Sequence, residues 1–138
     1  VKLVVAGKGA EALSRKFNHD SVIFVNEPTD EEMLNLAQYA NIHVLPTFQN
    51  TGFKLKLLYA LSVGRYVMVN GKMVDGTDLG EWCTIAESAK EWADGIKKLM
   101  ETPLEKEVYE SRQEFLSNNY SNREKAERLK QLIQNLLR

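Results

Sequence analysis

The chain has 138 residues, 43% of them hydrophobic and 27% charged, which is the size and composition of one soluble domain with a sizeable core. Its 18 Lys and Arg against 19 Asp and Glu give a formal net charge of −1, so the overall charge argues for neither a nucleic-acid partner nor a membrane surface. The single cysteine, Cys83, excludes an internal disulfide framework and predicts a reducing, cytoplasmic compartment.

The first residues predict that the chain is cut from a longer protein. The sequence opens directly on the strand-like run VKLVVAG, with no initiator methionine and no signal-peptide pattern. Its apolar runs are shorter than the roughly 20 residues that span a bilayer, so no transmembrane segment is predicted. We therefore expect one domain over residues 1–138.

Short β-branched runs alternate with longer helical patterns, which predicts βαβ units and a parallel sheet. The predicted strands are Lys2–Ala6, Val22–Val25, Ile42–Leu45, Tyr66–Val69 and Cys83–Ile85. The predicted helices are Ala10–Phe17, Asp30–Tyr39, Gly52–Val63, Ser88–Glu101, Leu104–Asn118 and Asn122–Leu137. The predicted fold class is therefore α/β, a Rossmann-like, three-layer, doubly wound parallel sheet with C-terminal helices. Asn70–Trp82 is the only long segment predicted to be irregular, and such loops are typically functional or mobile.

The first strand runs into a glycine-rich turn, GKGAEAL, at residues 7–13. A dinucleotide-binding fingerprint has a third glycine where Ala12 stands in this sequence. The favoured interpretation is therefore a tight strand-to-helix turn, in which glycine permits a positive φ, and the alternative is a dinucleotide site.

The junction between the third strand and the third helix is the main candidate for a ligand site. Thr51, Gly52 and Phe53 lie there, beyond the carboxyl end of a parallel strand, where open α/β sheets bind their ligands. Backbone N–H groups at a helix start suit a phosphate, and Lys54 and Lys56 add positive charge. Because these lysines lie about 200° apart on a helix, we expect one of them to face solvent. The alternative is that both lysines merely extend from the helix end.

Other reactive residue types give no catalytic or metal-binding pattern. His19 and His43 lack companions at metal-ligand spacing, and no serine lies in a nucleophile-elbow context. His43 alternates with apolar residues and is predicted to be structural, and Cys83 is predicted to be a small buried hydrophobe. The last helix has an apolar stripe, which is predicted to pack in the core or on a partner domain rather than on a membrane. The stripe comprises Ala126, Leu129, Leu132, Ile133, Leu136 and Leu137.

Four runs, in order, resemble the C-terminal, donor-binding domain of retaining GT-B glycosyltransferases: VKLVVAGKGAE, VIFVNEPTDEEMLNLAQYANIHVLPT, TGFKLKLLYALSVGRYVMVN and AKEWADGIKKLMETP. The most specific part is TGFKLKLLYAL followed by SVGRYVMV, which is similar to the family's glycine-led helix, alanine and "GxPVV" strand. The run FLSNNYSNREKAERL resembles the closing helices, of which the last crosses back onto the N-terminal domain. The resemblance implies half of a GT-B fold, with the acceptor-binding N-terminal domain as its missing partner.

The resemblance also implies a donor-binding cleft. It places the diphosphate of a nucleotide sugar at the start of the third helix and the base against the backbone of residues 25–29. The turn at residues 7–9 and the segment Asp75–Thr77 border the same cleft. The implied donor-binding residues are Gly7, Lys8, Gly9, Val25, Glu27, Thr29, Thr51, Gly52, Phe53, Lys54, Lys56 and Tyr59.

The implied reaction is transfer of a hexose from a nucleoside diphosphate sugar to an acceptor hydroxyl, with retention and with no cofactor or metal. The implied setting is polysaccharide biosynthesis, in the cytoplasm or at the inner face of the membrane. Thr51 and Tyr59 stand where the family has paired glutamates that contact sugar and ribose, and neither residue supplies a carboxylate. The family's basic pair lies upstream of this chain, so we expect the chain by itself to transfer no sugar.

Two alternatives belong to other functional classes. A degenerate, non-catalytic domain that binds a nucleotide or stabilises a partner is favoured by Thr51 and Tyr59. A flavodoxin-like signalling domain would have acidic residues at the carboxyl ends of its first and third strands, where Gly7 and Pro46 stand here. The donor-binding domain is therefore the preferred interpretation.

Overall fold

A computed structural model describes residues 1–49 and 54–137. It divides the chain into two compact units, Val1–Tyr39 and Ala40–Arg138. The described strands pair only in parallel, as a two-stranded sheet in the first unit and a three-stranded sheet in the second. Helices connect successive strands in both units. The predicted fold class is confirmed: the protein is α/β and Rossmann-like, with parallel strands joined by helices.

The first unit contains β1 (Leu3–Gly7), α1 (Ala10–Ser14), β2 (Val22–Asn26) and α2 (Asp30–Tyr39). Strands β1 and β2 pair from Leu3 opposite Val22 to Gly7 opposite Asn26. Helix α1 was predicted to reach Phe17, but it ends at Ser14 because residues 15–17 form a turn whose amides donate to the Glu11 and Leu13 carbonyls. The start of α2 agrees with the prediction. Thr29 N donates to the Glu32 carboxylate, and Glu32 N donates to the Thr29 hydroxyl, so the two residues form a capping box.

The second unit begins with β3 (Ile42–Leu45), α3 (Leu55–Val63) and β4 (Tyr66–Val69). It continues with α4 (Gly71–Val74), a 3₁₀ turn at Gly80–Trp82, β5 (Thr84–Ile85), α5 (Ala89–Glu101), α6 (Lys106–Tyr120) and α7 (Asn122–Leu136). The strand order is β3-β4-β5. Ser88 caps α5 through a capping box with Glu91, and the backbone N–H groups that bind the Glu91 carboxylate lower its pKa.

The core of the second unit is built on α3 and β4. Leu57 and Leu61 of α3 are fully buried, and they pack with Val67 and Val69 of β4. Met73, Leu79 and Leu116 complete this cluster from α4, the following loop and α6. Because α3 has its apolar side on this core, its start is held at the carboxyl edge of the three-stranded sheet.

The prediction that Asn70–Trp82 is irregular throughout is wrong. The segment contains α4 and a 3₁₀ turn, because the Met73 and Leu79 side chains are buried in the core and fix the backbone around them. Helix α6 also lies two residues further along than predicted. It extends to Tyr120, whose hydroxyl donates a hydrogen bond to Asp78 and whose ring contacts Phe115.

Candidate functional site

The carboxyl ends of β3 and β4 are joined through one side chain. Thr47 N donates to Asn70 Oδ1 at 2.9 Å, and Asn70 Nδ2 donates to Thr47 O at 2.7 Å. These two bonds connect segments that are 23 residues apart in sequence. They fix the chain that leaves β3 just before residues 50–53, where the sequence predicts the phosphate site. Thr51, Gly52 and Phe53 themselves lie outside the described residues.

Lys54 stands immediately before α3. It is half-buried, and its Nζ donates to the Gln49 carbonyl at 3.2 Å. The Lys54 carbonyl accepts from the Leu57 and Leu58 amides, at 2.9 and 3.2 Å, which are the first bonds of the helix. The sequence predicts Lys54 inside the first turn, and the structure places it at the N-cap position instead.

Lys56 and Tyr59 lie on the exposed side of α3. Lys56 is exposed to solvent, and Tyr59 is 41% exposed. The position that the resemblance assigns to a ribose-binding glutamate is therefore at the surface rather than packed into the core. The first turn of α3 has no acidic residue and no side-chain cap, so its partial positive charge is not offset by the side chains described there.

An open basin of about 570 Å³ lies beyond the carboxyl ends of β4 and β5. Its polar lining consists of Lys72, Asp75, Thr77 and Glu87. Glu87 Oε1 accepts from Gly71 N at 2.7 Å, which ties the second residue after β5 to the start of α4. The predicted cleft segment Asp75–Thr77 forms one side of this basin, whereas Lys72 and Glu87 were missed. Their only signal in the sequence is that each follows closely on a predicted strand.

The first unit brings its own predicted residues together at the ends of β1 and β2. Gly7 lies opposite Asn26 in the sheet register, and its carbonyl accepts from Glu27 N at 3.3 Å. Gly9 has φ +86°, a value that glycine adopts without strain, and Glu27 adopts φ +47° despite its side chain. Lys8 is exposed beside them.

The other residues of this group follow the strand end. Val25 is the last residue but one of β2 and is half-buried. Thr29 is exposed and caps α2, and its backbone N–H is the main cause of the lowered pKa of Glu32. The predicted turn at residues 7–9 and the segment 25–29 thus share one edge of the two-stranded sheet.

The residues that were predicted to be structural have structural surroundings. The His43 ring lies against Gly64, where an added Cβ would come within 2.4 Å of His43 Cδ2. Burial raises the pKa of the Cys83 thiol to about 12, so the thiol is protonated at neutral pH. Among the described side chains, no group of three or more His, Cys, Asp and Glu is placed to hold a metal ion.

The C-terminal helix α7 is not part of the core. Its described apolar residues are exposed, with Leu132 at 54%, Ile133 at 48% and Leu136 at 85%. The predicted core packing of this stripe is therefore wrong within the chain, because none of its described apolar side chains belongs to the α3–β4 cluster. Among residues 1–49 and 54–137, the structure has no helix that combines the length and the apolar character needed to cross a membrane.

Comparison with known proteins identifies the family. Residues 1–102 match the family model described as glycosyl transferases group 1. The match includes both groups of predicted site residues, and it ends just after α5. Neither a curated protein nor a solved structure matched the chain. The matched region is well over half of the sequence, and the chain therefore belongs to the group 1 glycosyl transferases.

Proposed function

We propose that residues 1–138 form the donor-binding domain of a longer glycosyltransferase, and that this domain binds a nucleoside diphosphate sugar. The sugar, a hexose, would pass to an acceptor hydroxyl with retention at the anomeric carbon. Membership of the group 1 glycosyl transferases supports glycosyl transfer in general. The choice of donor follows the resemblance, and the location of its site is supported by the described residues at the start of α3 and around the basin beside β4.

The observation that carries the proposal is the start of α3, where the described side chains of the first turn include no acidic residue. Lys54 Nζ lies at this end, on the Gln49 carbonyl, and the first turn has no acidic residue to offset the helix dipole. A diphosphate would receive backbone N–H groups, the dipole and an ammonium from one direction. In catalysis, the same groups would stabilise the charge that develops on the departing nucleoside diphosphate.

The donor sugar would lie beside the diphosphate, over the basin next to β4. The bonds between Thr47 and Asn70 keep the ends of β3 and β4 adjacent, so a ligand at the start of α3 has this basin as its neighbour. Asp75 and Glu87 offer carboxylate oxygens to sugar hydroxyls, and Thr77 offers a hydroxyl. Tyr59, 41% exposed on α3, would offer its hydroxyl to the ribose.

Within the first unit, we propose residues 25–29 as a segment whose backbone groups contact a nucleotide base, as the resemblance implies. Glu27 favours this assignment, because a non-glycine residue held at a positive φ is typical of sites where the backbone is shaped for a ligand. The proposed setting is polysaccharide biosynthesis in the cytoplasm. A single cysteine, Cys83, which leaves no internal disulfide, suits a reducing compartment.

A second candidate function is a non-catalytic nucleotide-binding domain. Tyr59 favours it, because an exposed phenol replaces the carboxylate that the family uses at this position. Both candidates require a phosphate site at the start of α3, and they differ in whether sugar transfer follows in the longer protein.

Calorimetric titration of the chain with UDP, GDP and ADP tests the phosphate site that the two candidates share. We expect weak binding of one nucleotide, on the order of 1 mM, which corresponds to about 4 kcal/mol. Lys54→Ala should weaken this binding, and added salt should weaken it as well, because exposed charge contacts are screened. Lys56→Ala is the matched control and should bind like the natural chain. No binding of any of the three nucleotides by the folded chain would refute the proposal.

A further inference from the structure

Helix α6 donates hydrogen bonds to the last turn of α3 and to the two residues that follow it, Gly64 and Arg65. Arg112 Nη2 and Nη1 donate to two carbonyls, at 2.6 and 3.0 Å. Gln113 Nε2 donates to two more, at 3.3 and 3.1 Å. The Gln113 acceptors belong to the last turn of α3, whose carbonyls have no partner within the helix, and the Arg112 acceptors belong to the connection from α3 to β4. The acceptors are the carbonyls of Leu61, Ser62, Gly64 and Arg65.

Arg112 is an unusual choice if stability is its only role. The residue is 4% exposed, and its Nε has no hydrogen-bond partner among the described residues. Burying a guanidinium removes it from water, and well-packed apolar side chains often replace buried charges without loss of stability. A planar guanidinium does supply something that apolar contacts lack, which is a fixed direction for each bond.

The same end of α3 is enclosed from a second direction. The His43 ring of β3 lies so close to Gly64 that an added Cβ would approach its Cδ2 to 2.4 Å. The His43 ring thus lies near the Gly64 Cα, and the Arg112 guanidinium donates to the Gly64 carbonyl. Both the rotation and the position of the helix end are therefore constrained.

We propose that Arg112 and Gln113 are positioning residues, which hold the carboxyl end of α3 so that its opposite end, with Lys54, stands where the diphosphate binds. The inference rests on the function proposed above. Helix α3 has nine residues. It is therefore about 13 Å long, and a tilt of about 10° at one end moves the other by about 2 Å. Phosphate contacts tolerate little such displacement, because charged hydrogen bonds depend on distance and angle.

Core packing alone does not fix this geometry. Leu57 and Leu61 hold α3 against β4, but apolar contacts are non-directional and permit small rotations about the helix axis. The four bonds from α6 set that rotation. Consequently, the lysine at the start of α3 is oriented by a helix that lies more than fifty residues later in the sequence.

The first test uses hydrogen exchange and needs no ligand. The Leu57 and Leu58 amides donate to the Lys54 carbonyl and report on the start of α3, while the Trp92 amide, bonded to Ser88 O, serves as an internal reference in α5. In the double variant Arg112→Met, Gln113→Leu, we expect the Leu57 and Leu58 amides to exchange about tenfold faster relative to Trp92. Global destabilisation would accelerate all three amides together.

The control variant is Leu116→Ala. Leu116 lies one turn further along α6, is 8% exposed and packs in the same core, but its side chain has no hydrogen-bond donor. It should leave the exchange ratio unchanged even where it lowers stability. Arg112→Lys keeps the positive charge but replaces the guanidinium with a single ammonium. Its ratio of Leu57 and Leu58 exchange to Trp92 exchange should lie between those of the natural chain and the double variant. An unchanged ratio in the double variant would overturn the proposal, whether or not a nucleotide binds.

The second test measures affinity for whichever of UDP, GDP and ADP the natural chain binds. We expect the double variant to bind that nucleotide about fivefold more weakly, and Leu116→Ala to bind it like the natural chain. Unchanged affinity together with an altered exchange ratio would overturn the link between α6 and the phosphate site. If the natural chain binds none of the three nucleotides, the proposed function fails, and the exchange ratio still decides whether α6 positions the start of α3.

Discussion

Asn70 joins the carboxyl ends of β3 and β4, and its removal should be costly. In Asn70→Ala, Thr47 N loses an acceptor at 2.9 Å and Thr47 O loses a donor at 2.7 Å. Asn70 makes no side-chain cap bond to α4, so no capping loss is added. At about 1 kcal/mol per bond, and more where half-buried peptide groups are left without a partner, we expect the free energy of unfolding to fall by about 2 to 3 kcal/mol.

Urea denaturation followed by tryptophan fluorescence measures this loss, because Trp82 and Trp92 both lie in the unit Ala40–Arg138. The matched variant Asn70→Asp keeps the acceptor for Thr47 N and loses the donor to Thr47 O, so its loss should be about half as large. A change below about 0.5 kcal/mol for Asn70→Ala would place it among ordinary surface substitutions and refute the reasoning. Equal losses in the two variants would show that the acceptor bond to Thr47 N does not outweigh the repulsion between the new carboxylate and the Thr47 carbonyl.

Three further predictions concern the fold around the site. Gly64→Ala should lower the free energy of unfolding by about 2 kcal/mol or more, because the new Cβ would overlap the His43 ring. The control is Gly80→Ala, whose Cβ would meet its nearest atom at 3.8 Å, and it should change little in the same urea titration. Glu91→Gln should destabilise the protein at pH 7, where the natural carboxylate is charged and its lowered folded-state pKa favours folding. The difference from the natural chain should shrink as pH falls below the ordinary glutamate range and through that lowered pKa, and a pH-independent difference would contradict the assignment. Cys83, with its pKa raised to about 12 by burial, should resist iodoacetamide at pH 8 in the folded protein and react after unfolding in urea; equal rates would show that the thiol is accessible.

Local patterns in the sequence are sufficient for several elements. The predicted bounds of β3, β4 and α2 agree with the structure. The two strands are nearly continuous apolar runs, which end at Pro46 and Asn70, and α2 begins at a capping box that can be read directly from Thr29 and Glu32. Interactions within a few residues decide these bounds, so no knowledge of the tertiary structure is needed.

Tertiary contacts decide the elements that the sequence does not predict. Helix α4 has only four residues, which is too short to be stable by itself, and it is stabilised because its own Met73 side chain is buried in the core. The bonds between Asn70 and Thr47 connect residues 23 positions apart, and no local pattern reveals them. The bonds from Arg112 to the end of α3 span nearly fifty residues and are equally invisible in the sequence.

The candidate site is predicted in part. The sequence places Lys54 and Lys56 at the start of α3, and the structure distinguishes the half-buried lysine from the exposed one. Glu87 and Lys72 enter the basin only through the adjacency of β4 and β5, which depends on strand order. The assignments of Thr51, Gly52 and Phe53 to the phosphate site stay predictions, since these residues lie outside those described.

A nucleotide titration of the ¹⁵N-labelled chain, followed residue by residue in NMR spectra, tests the central claim most directly. UDP, GDP and ADP are added in turn at millimolar concentration. The account predicts that one of them shifts the amide signals of Thr47 and Lys54 and those of the first turn of α3, and that the Lys54→Ala variant loses these shifts while Lys56→Ala keeps them. Shifts confined to α5, α6 and α7, or no shifts with any of the three nucleotides, would contradict a phosphate site at the start of α3.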